Sequence, residues 1–147
     1  METGLKDRVA VVAASSQGIG RATAFAFAAE GAHVALCARR ETELEKTAAE
    51  IRIQHGVEVF TRAFDVAHDG AVRAFVTAVH ERFGRVDVCV PNAGGPPAKP
   101  FLETTLEEWE RAWQLNLRSA IVFAQAVIPH MQKQQWGRIV TLTSYTV

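Results

Sequence analysis

The sequence predicts a doubly wound α/β fold, a parallel sheet of about five βα units with helices on both faces. Short apolar runs alternate with longer segments of helical periodicity, the pattern of strands buried on both faces and the helices that cover them. The runs end in polar or glycine-bearing turns. The first of these turns is glycine-rich and opens directly into an alanine-rich helix, as a nucleotide-binding βα unit does.

Taken in order, Arg8 to Ala13 is the first strand, Ser15-Ser16-Gln17-Gly18 the turn after it, and about Ile19 to Glu30 the first helix, with Gly31 positioned to end it. His33 to Ala38 is the second strand. The helix from about Glu41 to Gln54 turns Leu44, Ala48 and Ile51 inward and Glu43, Glu45 and Glu50 outward, and His55-Gly56 closes it. Val57 to Ala63 is the third strand and leads through Asp65 to a helix at about Asp69 to Phe83, whose buried stripe is Val72, Phe75, Val76 and Val79. Gly84 stops that helix. Val86 to Val90 reads as an apolar fourth strand, followed by a proline- and glycine-rich loop, Pro91 to Pro100. A helical pattern then runs from about Thr105 to Gln135, with hydroxyl caps and acidic residues at its start and a kink expected at Pro129. Ile139 to Thr143 is the fifth strand.

Sixteen basic residues balance sixteen acidic ones among 147, so no global field draws the protein to nucleic acid or an anionic membrane, and a small molecule is the expected partner. The two cysteines, Cys37 and Cys89, lie within apolar runs and read as buried thiols, which fits a reducing cytoplasm. Five scattered histidines lack ligand spacing, so no metal site is expected. The amino terminus lacks the pattern of a signal peptide, and no apolar run reaches membrane-spanning length.

The turn Ala13-Ala14-Ser15-Ser16-Gln17-Gly18-Ile19-Gly20 lies where a pyrophosphate can meet helix N–H groups, with Gly18 and Gly20 allowing close backbone approach. An ordinary tight turn is the alternative. After the second strand, where an acidic residue would hold the ribose 2′-hydroxyl of NAD, stand Arg39 and Arg40. They suit a 2′-phosphate, and so NADP, unless they are simply a solvated pair at a helix start.

Those residues, with Asp65-Val66 after the third strand, Asn92-Ala93-Gly94 after the fourth, Asn116 within Gln114-Leu115-Asn116-Leu117, and Gly137-Arg138-Ile139-Val140-Thr141-Leu142-Thr143-Ser144, resemble the motifs of short-chain dehydrogenases/reductases. The resemblance covers the whole chain and is strongest to the 3-oxoacyl-(acyl-carrier-protein) reductase-like members. It implies a single Rossmann-type NAD(P)-binding domain over residues 1–147, incomplete at its carboxyl end, and in the full-length form an NADP-dependent oxidoreductase exchanging hydride with a carbonyl or alcohol. It implies roles as well. The turn residues Ser15, Ser16, Gln17, Gly18, Ile19 and Gly20, together with Arg39 and Arg40, would hold the cofactor. Asp65 would bond the adenine amino group, Val66 would pack on the adenine, and Asn92, Ala93 and Gly94 would line the cofactor ribose. Ser144 would bond the substrate carbonyl, and Asn116 would support a water-linked proton relay. A homo-oligomer, dimer or tetramer, is also implied, with the helix carrying Trp109, Trp113, Val122 and Phe123 at the interface. Seen alone, Asp65 is equally a turn carboxylate, Asn92 a turn former and Asn116 a helix-interior amide.

The sequence departs from that pattern at Ala14, where a glycine is usual and a methyl group is tolerable if φ is negative. Gln17 stands where NADP-preferring members often carry a basic residue, and Pro91 replaces an asparagine. The Tyr-x-x-x-Lys pair expected in the helix after Ser144 is not present, and Tyr145 lacks both the lysine and the helical position to replace it. These features lead to the expectation of a fragment with an uncovered fifth strand and poor solubility, and to a second functional reading, a catalytically silent NADP(H)-binding module.

Overall fold

A computed structural model describes residues 3–95 and 99–143. Five strands form one parallel sheet in the order β3-β2-β1-β4-β5, with β1 at Val9–Ala13, β2 at His33–Ala38, β3 at Val59–Ala63, β4 at Val88–Val90 and β5 at Arg138–Ile139. Between them run α1 (Gly18–Ala29), α2 (Glu41–His55), α3 (Asp69–Phe83), α4 (Leu106–Trp113) and α5 (Ser119–Lys133). The strand order reverses between β1 and β4. Such a switch point leaves a crevice beyond the carboxyl ends of the strands, because the connecting helices leave toward opposite faces.

Alternation along β1 divides the core in two. Val9, Val11 and Ala13 face α3 and α5 and pack with Phe75, Val79, Phe123 and Val127, while Ala10 and Val12 face α1 and α2 and pack with Ala24, Leu44, Ala48 and Ile51. A strand buried on both faces must be apolar at every position, and all five residues of β1 are buried. Gly56 and Gly84 end α2 and α3 in the left-handed conformation that their lack of a Cβ permits.

The strand bounds move, with β3 starting at Val59 rather than Val57, β4 at Val88 rather than Val86, and β5 spanning Arg138–Ile139 rather than Ile139 to Thr143, and three further features differ from the sequence-based expectation. The long helix is not α-helical throughout: it passes through a π-helical stretch, Gln114–Arg118, between α4 and α5, and Pro129 lies inside α5. Its start is as expected, with Thr105 accepting from the Glu108 N–H at 3.2 Å while the Glu108 carboxylate accepts from the Thr105 N–H at 3.0 Å. Secondly, Ala14 has φ of +50°, so the methyl group is carried in left-handed backbone rather than at negative φ.

Thirdly, the run Val86 to Val90 is not uniformly apolar, because Asp87 lies in it, fully buried. Its carboxylate accepts from the Val9 N–H at 2.9 Å, from Arg8 at 3.0 Å and from Arg85 at 2.6 and 2.7 Å. Burial pushes this carboxyl up, but the bonds from Arg85, Val9 and Arg8 together outweigh burial and hold it below the usual carboxylate range. Gln134, just past α5, donates to Val86 O at 2.8 Å and to Asp87 at 3.3 Å. Asp87 thus ties the starts of β1 and β4 to the end of α5, at the end of the sheet away from the crevice.

Candidate functional site

The crevice at the switch point is a cavity of about 640 Å³, within the range of small-molecule sites. Its walls come from the turns that follow four strands, so each wall is placed by the register of the sheet. From the turn after β1 come Ala14, Ser16, Gln17, Gly18 and Ile19. From the end of β2 come Ala38, Arg39 and Arg40, and from the turn after β3 come Phe64, Asp65 and Val66. Asn92, Ala93 and Gly94 follow β4, and Leu115 projects from the π-helical stretch.

The turn after β1 is shaped to receive an anion. Gly18 has φ of +57°, and a Cβ built on it would meet nothing within 4 Å, so the turn is open on the side where a phosphate would approach. Gly20 faces the opposite constraint. A Cβ there would collide with the Ala14 carbonyl oxygen and lie 2.8 Å from the Ala14 carbonyl carbon and 2.9 Å from Ala13 O, so only glycine lets α1 sit this close to the strand end. No side chain caps the amino terminus of α1, and its first turn carries no acidic residue, which leaves its N–H groups and their partial positive charge to a ligand.

Ser15 lies beneath the turn rather than in the cavity wall: it is buried, its N–H donates to Cys37 O at 3.1 Å and its hydroxyl donates to the same oxygen at 3.3 Å. Cys37 itself is a free, buried thiol pushed up to about 12 by burial, opposed by a backbone hydrogen bond from Ala14. Burial likewise raises Cys89, and a nearby Cys37 adds to it. Both thiols are therefore held protonated and unreactive.

Asp65 lines the cavity, and one carboxylate oxygen also accepts from the Ala67 N–H at 3.0 Å, the turn geometry its alternative reading required. Val66 is almost wholly buried beside it. Asn116 does not line the cavity: it is exposed, and its amide donates to Ala112 O at 2.9 Å. Its neighbour Leu115, also in the π-helical stretch, does. Arg118 anchors that stretch to α3 by a fork on Asp69, at 2.7 and 3.1 Å, and the Arg118 bond is the main cause holding the Asp69 carboxyl below its usual range. Ser144 and Tyr145 lie outside the described residues, as do residues 96–98 of the loop expected near the cofactor. Ala14, Ala38, Phe64 and Leu115 are wall residues to which the sequence reading gave no cofactor role; Ala14 and Leu115 lie within its motifs, and Ala38 and Phe64 directly adjoin motif residues.

The order of these turns matches a known family. The family model for short chain dehydrogenases aligns with residues 8–146. The chain belongs to the short chain dehydrogenase family. Among curated relatives, 3-oxoacyl-(acyl-carrier-protein) reductase of Synechocystis sp. is 37% identical over 143 residues, 97% of this chain and 58% of that protein. Among solved structures, L-sorbose reductase from Gluconobacter frateurii, complexed with NADPH and L-sorbose, superposes with a TM-score of 0.92 at 37% identity, over 96% of this chain and 54% of that one. NAD+-bound xylitol dehydrogenase superposes with a TM-score of 0.90 at 33% identity, over 95% and 54%. The chain spans a little over half the length of such relatives. Membership makes this an oxidoreductase-family, nucleotide-binding α/β fold. Among the described residues no helix is long and apolar enough to cross a membrane, and no cluster of three or more potential metal ligands occurs.

Proposed function

We propose that the crevice binds NADP(H) and that the whole protein exchanges hydride between the nicotinamide and a small carbonyl or alcohol substrate. The observation that carries this reading is the convergence on one cavity of an uncapped helix terminus, two arginines at the end of β2, a carboxylate after β3 and an amide after β4. When bound, the cofactor supplies the hydride. The chain's own residues position it. The α1 terminus and Gly18 receive the pyrophosphate, Arg39 and Arg40 the 2′-phosphate, Asp65 and Val66 the adenine, and Asn92 to Gly94 the second ribose. Ser144 is assigned to the substrate carbonyl and Asn116 to the proton relay by family resemblance.

Arg39 has no side-chain partner among the described residues, which leaves its guanidinium for a ligand. Of the four residues expected at an interface, Val122 and Phe123 are instead buried in the core against β1 and α3, whereas Trp109 and Trp113 are exposed and, with the exposed Leu117 and Ile121, support an interface between copies of the chain. Balanced charge and buried free thiols support a cytoplasmic protein with no nucleic-acid or membrane partner.

Calorimetric titration with NADPH and NADH tests the reading. A hydrogen bond to a charged group contributes about 1.5–3 kcal/mol, so NADPH is expected to bind roughly 10- to 100-fold more tightly than NADH. Replacing both Arg39 and Arg40 with alanine should erase that difference. Equal affinity in the unmodified protein refutes the NADP preference, and absence of saturable binding to either nucleotide refutes the site. Binding without NADPH oxidation across a carbonyl panel would favour the silent binding module.

A further inference from the structure

Gln17 and Arg40 are both residues at helix starts, and they face each other across the mouth of the cavity. Gln17 precedes α1 in extended backbone, but its side chain does not cap that helix. Its amide oxygen instead accepts from Arg40 Nη2 at 2.6 Å. The assignment of the amide follows from chemistry, since a guanidinium can only donate and so must face the oxygen. Arg40 precedes α2, where its backbone oxygen accepts from the Leu44 N–H at 3.1 Å.

The backbones that carry the pair are fixed independently of it. Ser15 is bonded to Cys37 O, Thr47 of α2 donates to Ser16 O at 3.3 Å, and Arg21 of α1 pairs with Glu50 of α2. The Gln17–Arg40 bond therefore joins two rigid ends and restrains a long side chain that is otherwise exposed.

We infer that Gln17 is a positioning residue for 2′-phosphate selectivity, acting through Arg40. This rests on the NADP reading above. Gln17 is neutral, so it takes one of the guanidinium's donors without cancelling its charge, and leaves the others aimed at a phosphate. A basic residue at this position would add charge of its own. The glutamine instead removes the entropy that Arg40 would lose on binding.

The test is titration of the 147-residue chain with NADPH and NADH, comparing the unmodified protein with Gln17→Ala, Arg40→Ala, the double variant and Gln17→Glu. Restraining one rotamer-rich side chain corresponds to about a two- to tenfold change in affinity, so Gln17→Ala should lower the NADPH-to-NADH affinity ratio by that factor. Arg40→Ala should lower it further, and the double variant should match Arg40→Ala. Gln17→Glu should cost at least as much as Gln17→Ala, because a carboxylate neutralises the guanidinium. Gln17 is exposed and outside the core, and melting curves of each variant check the fold. An unchanged ratio in Gln17→Ala overturns the inference. So does an equal loss with and without Arg40, which would place Gln17 in direct contact with the phosphate. A ratio of one in the unmodified protein defeats the NADP reading itself, before any variant is compared.

Discussion

Ala14 is the position at which a single methyl group is most informative. It lies at φ +50°, just past the end of β1, and forms part of the cavity wall. Left-handed backbone costs an L-residue roughly 1–2 kcal/mol relative to glycine. Ala14→Gly removes that strain but gives the unfolded chain more freedom, which returns about 0.4–1 kcal/mol. The balance is a stabilisation of about 0.5–1 kcal/mol, or a rise in Tm of roughly 1–4 °C for a chain of this size. Ala14→Val should move the other way, because branching at Cβ makes positive φ a severe outlier. Thermal and urea unfolding followed by circular dichroism, on all three proteins, gives the order. The reasoning requires Gly above Ala above Val. A glycine variant less stable than the parent, or a valine variant equal to it, refutes the claim that the backbone here is strained.

Gly20→Ala should destabilise by about 1–3 kcal/mol and weaken nucleotide binding together, since the new Cβ meets only backbone of Ala13 and Ala14; unfolding and titration on the same sample check both. Asp87→Asn should cost about 1–3 kcal/mol, by leaving the Arg8 and Arg85 bonds without a charged acceptor. The folded-state pKa of Asp87 lies below the unfolded one, so its contribution is fully present above about pH 4 and is lost as pH falls further; urea midpoints across the acid range should show that limb flattened in the variant. His130 stacks on His80 with ring centroids 4.1 Å apart, and burial, then His80 and Lys133, push its pKa down. A depressed histidine contributes stability above about pH 6.5 that is lost as pH falls, and His130→Gln should reduce that slope in pH-dependent melting.

The legible parts of this fold are those where local chemistry and burial agree. The strand His33–Ala38 and the helix Asp69–Phe83 are found at their expected bounds, the helix closed by Gly84 in left-handed backbone. Most of the cavity wall was legible too, because phosphate and ribose binding demand distinctive residue types at the ends of strands. The π-helical break was not. Gln114 to Arg118 contains neither proline nor glycine, and its apolar spacing continues that of the helices on either side. Leu115 and Phe64 were missed for a related reason: an apolar side chain lining a cavity has the same sequence signal as one filling a core. Asp87 escaped notice because its neighbours are apolar, although a carboxylate within a buried strand must find partners or distort the sheet. The conformation of Ala14 was legible only as a question, because a glycine usual at that position hints at positive φ while the alanine itself favours negative φ.

The two ends of the sheet separate stability from selectivity. Parallel pairing sets Ala13 beside Cys37, Ala38 beside Ala63 and Val12 beside Val90, so the turns after β1, β2, β3 and β4 start at nearly one level. Residues scattered from 14 to 94 thereby meet without any loop having to reach. The opposite end is where the strand starts are locked, by Asp87 with Arg8, Arg85 and Gln134. A change at that end acts on the whole fold and shifts the population able to bind, so it scales NADPH and NADH affinity by one common factor. On the proposed reading, a change at Gln17 or Arg40 touches only the group that distinguishes the two nucleotides. The NADPH-to-NADH ratio should therefore be constant across Asp87 variants of very different stability. A ratio that tracked Asp87 stability would mean that the arginines at the cavity mouth are set by the strain of the sheet rather than by their local bonds.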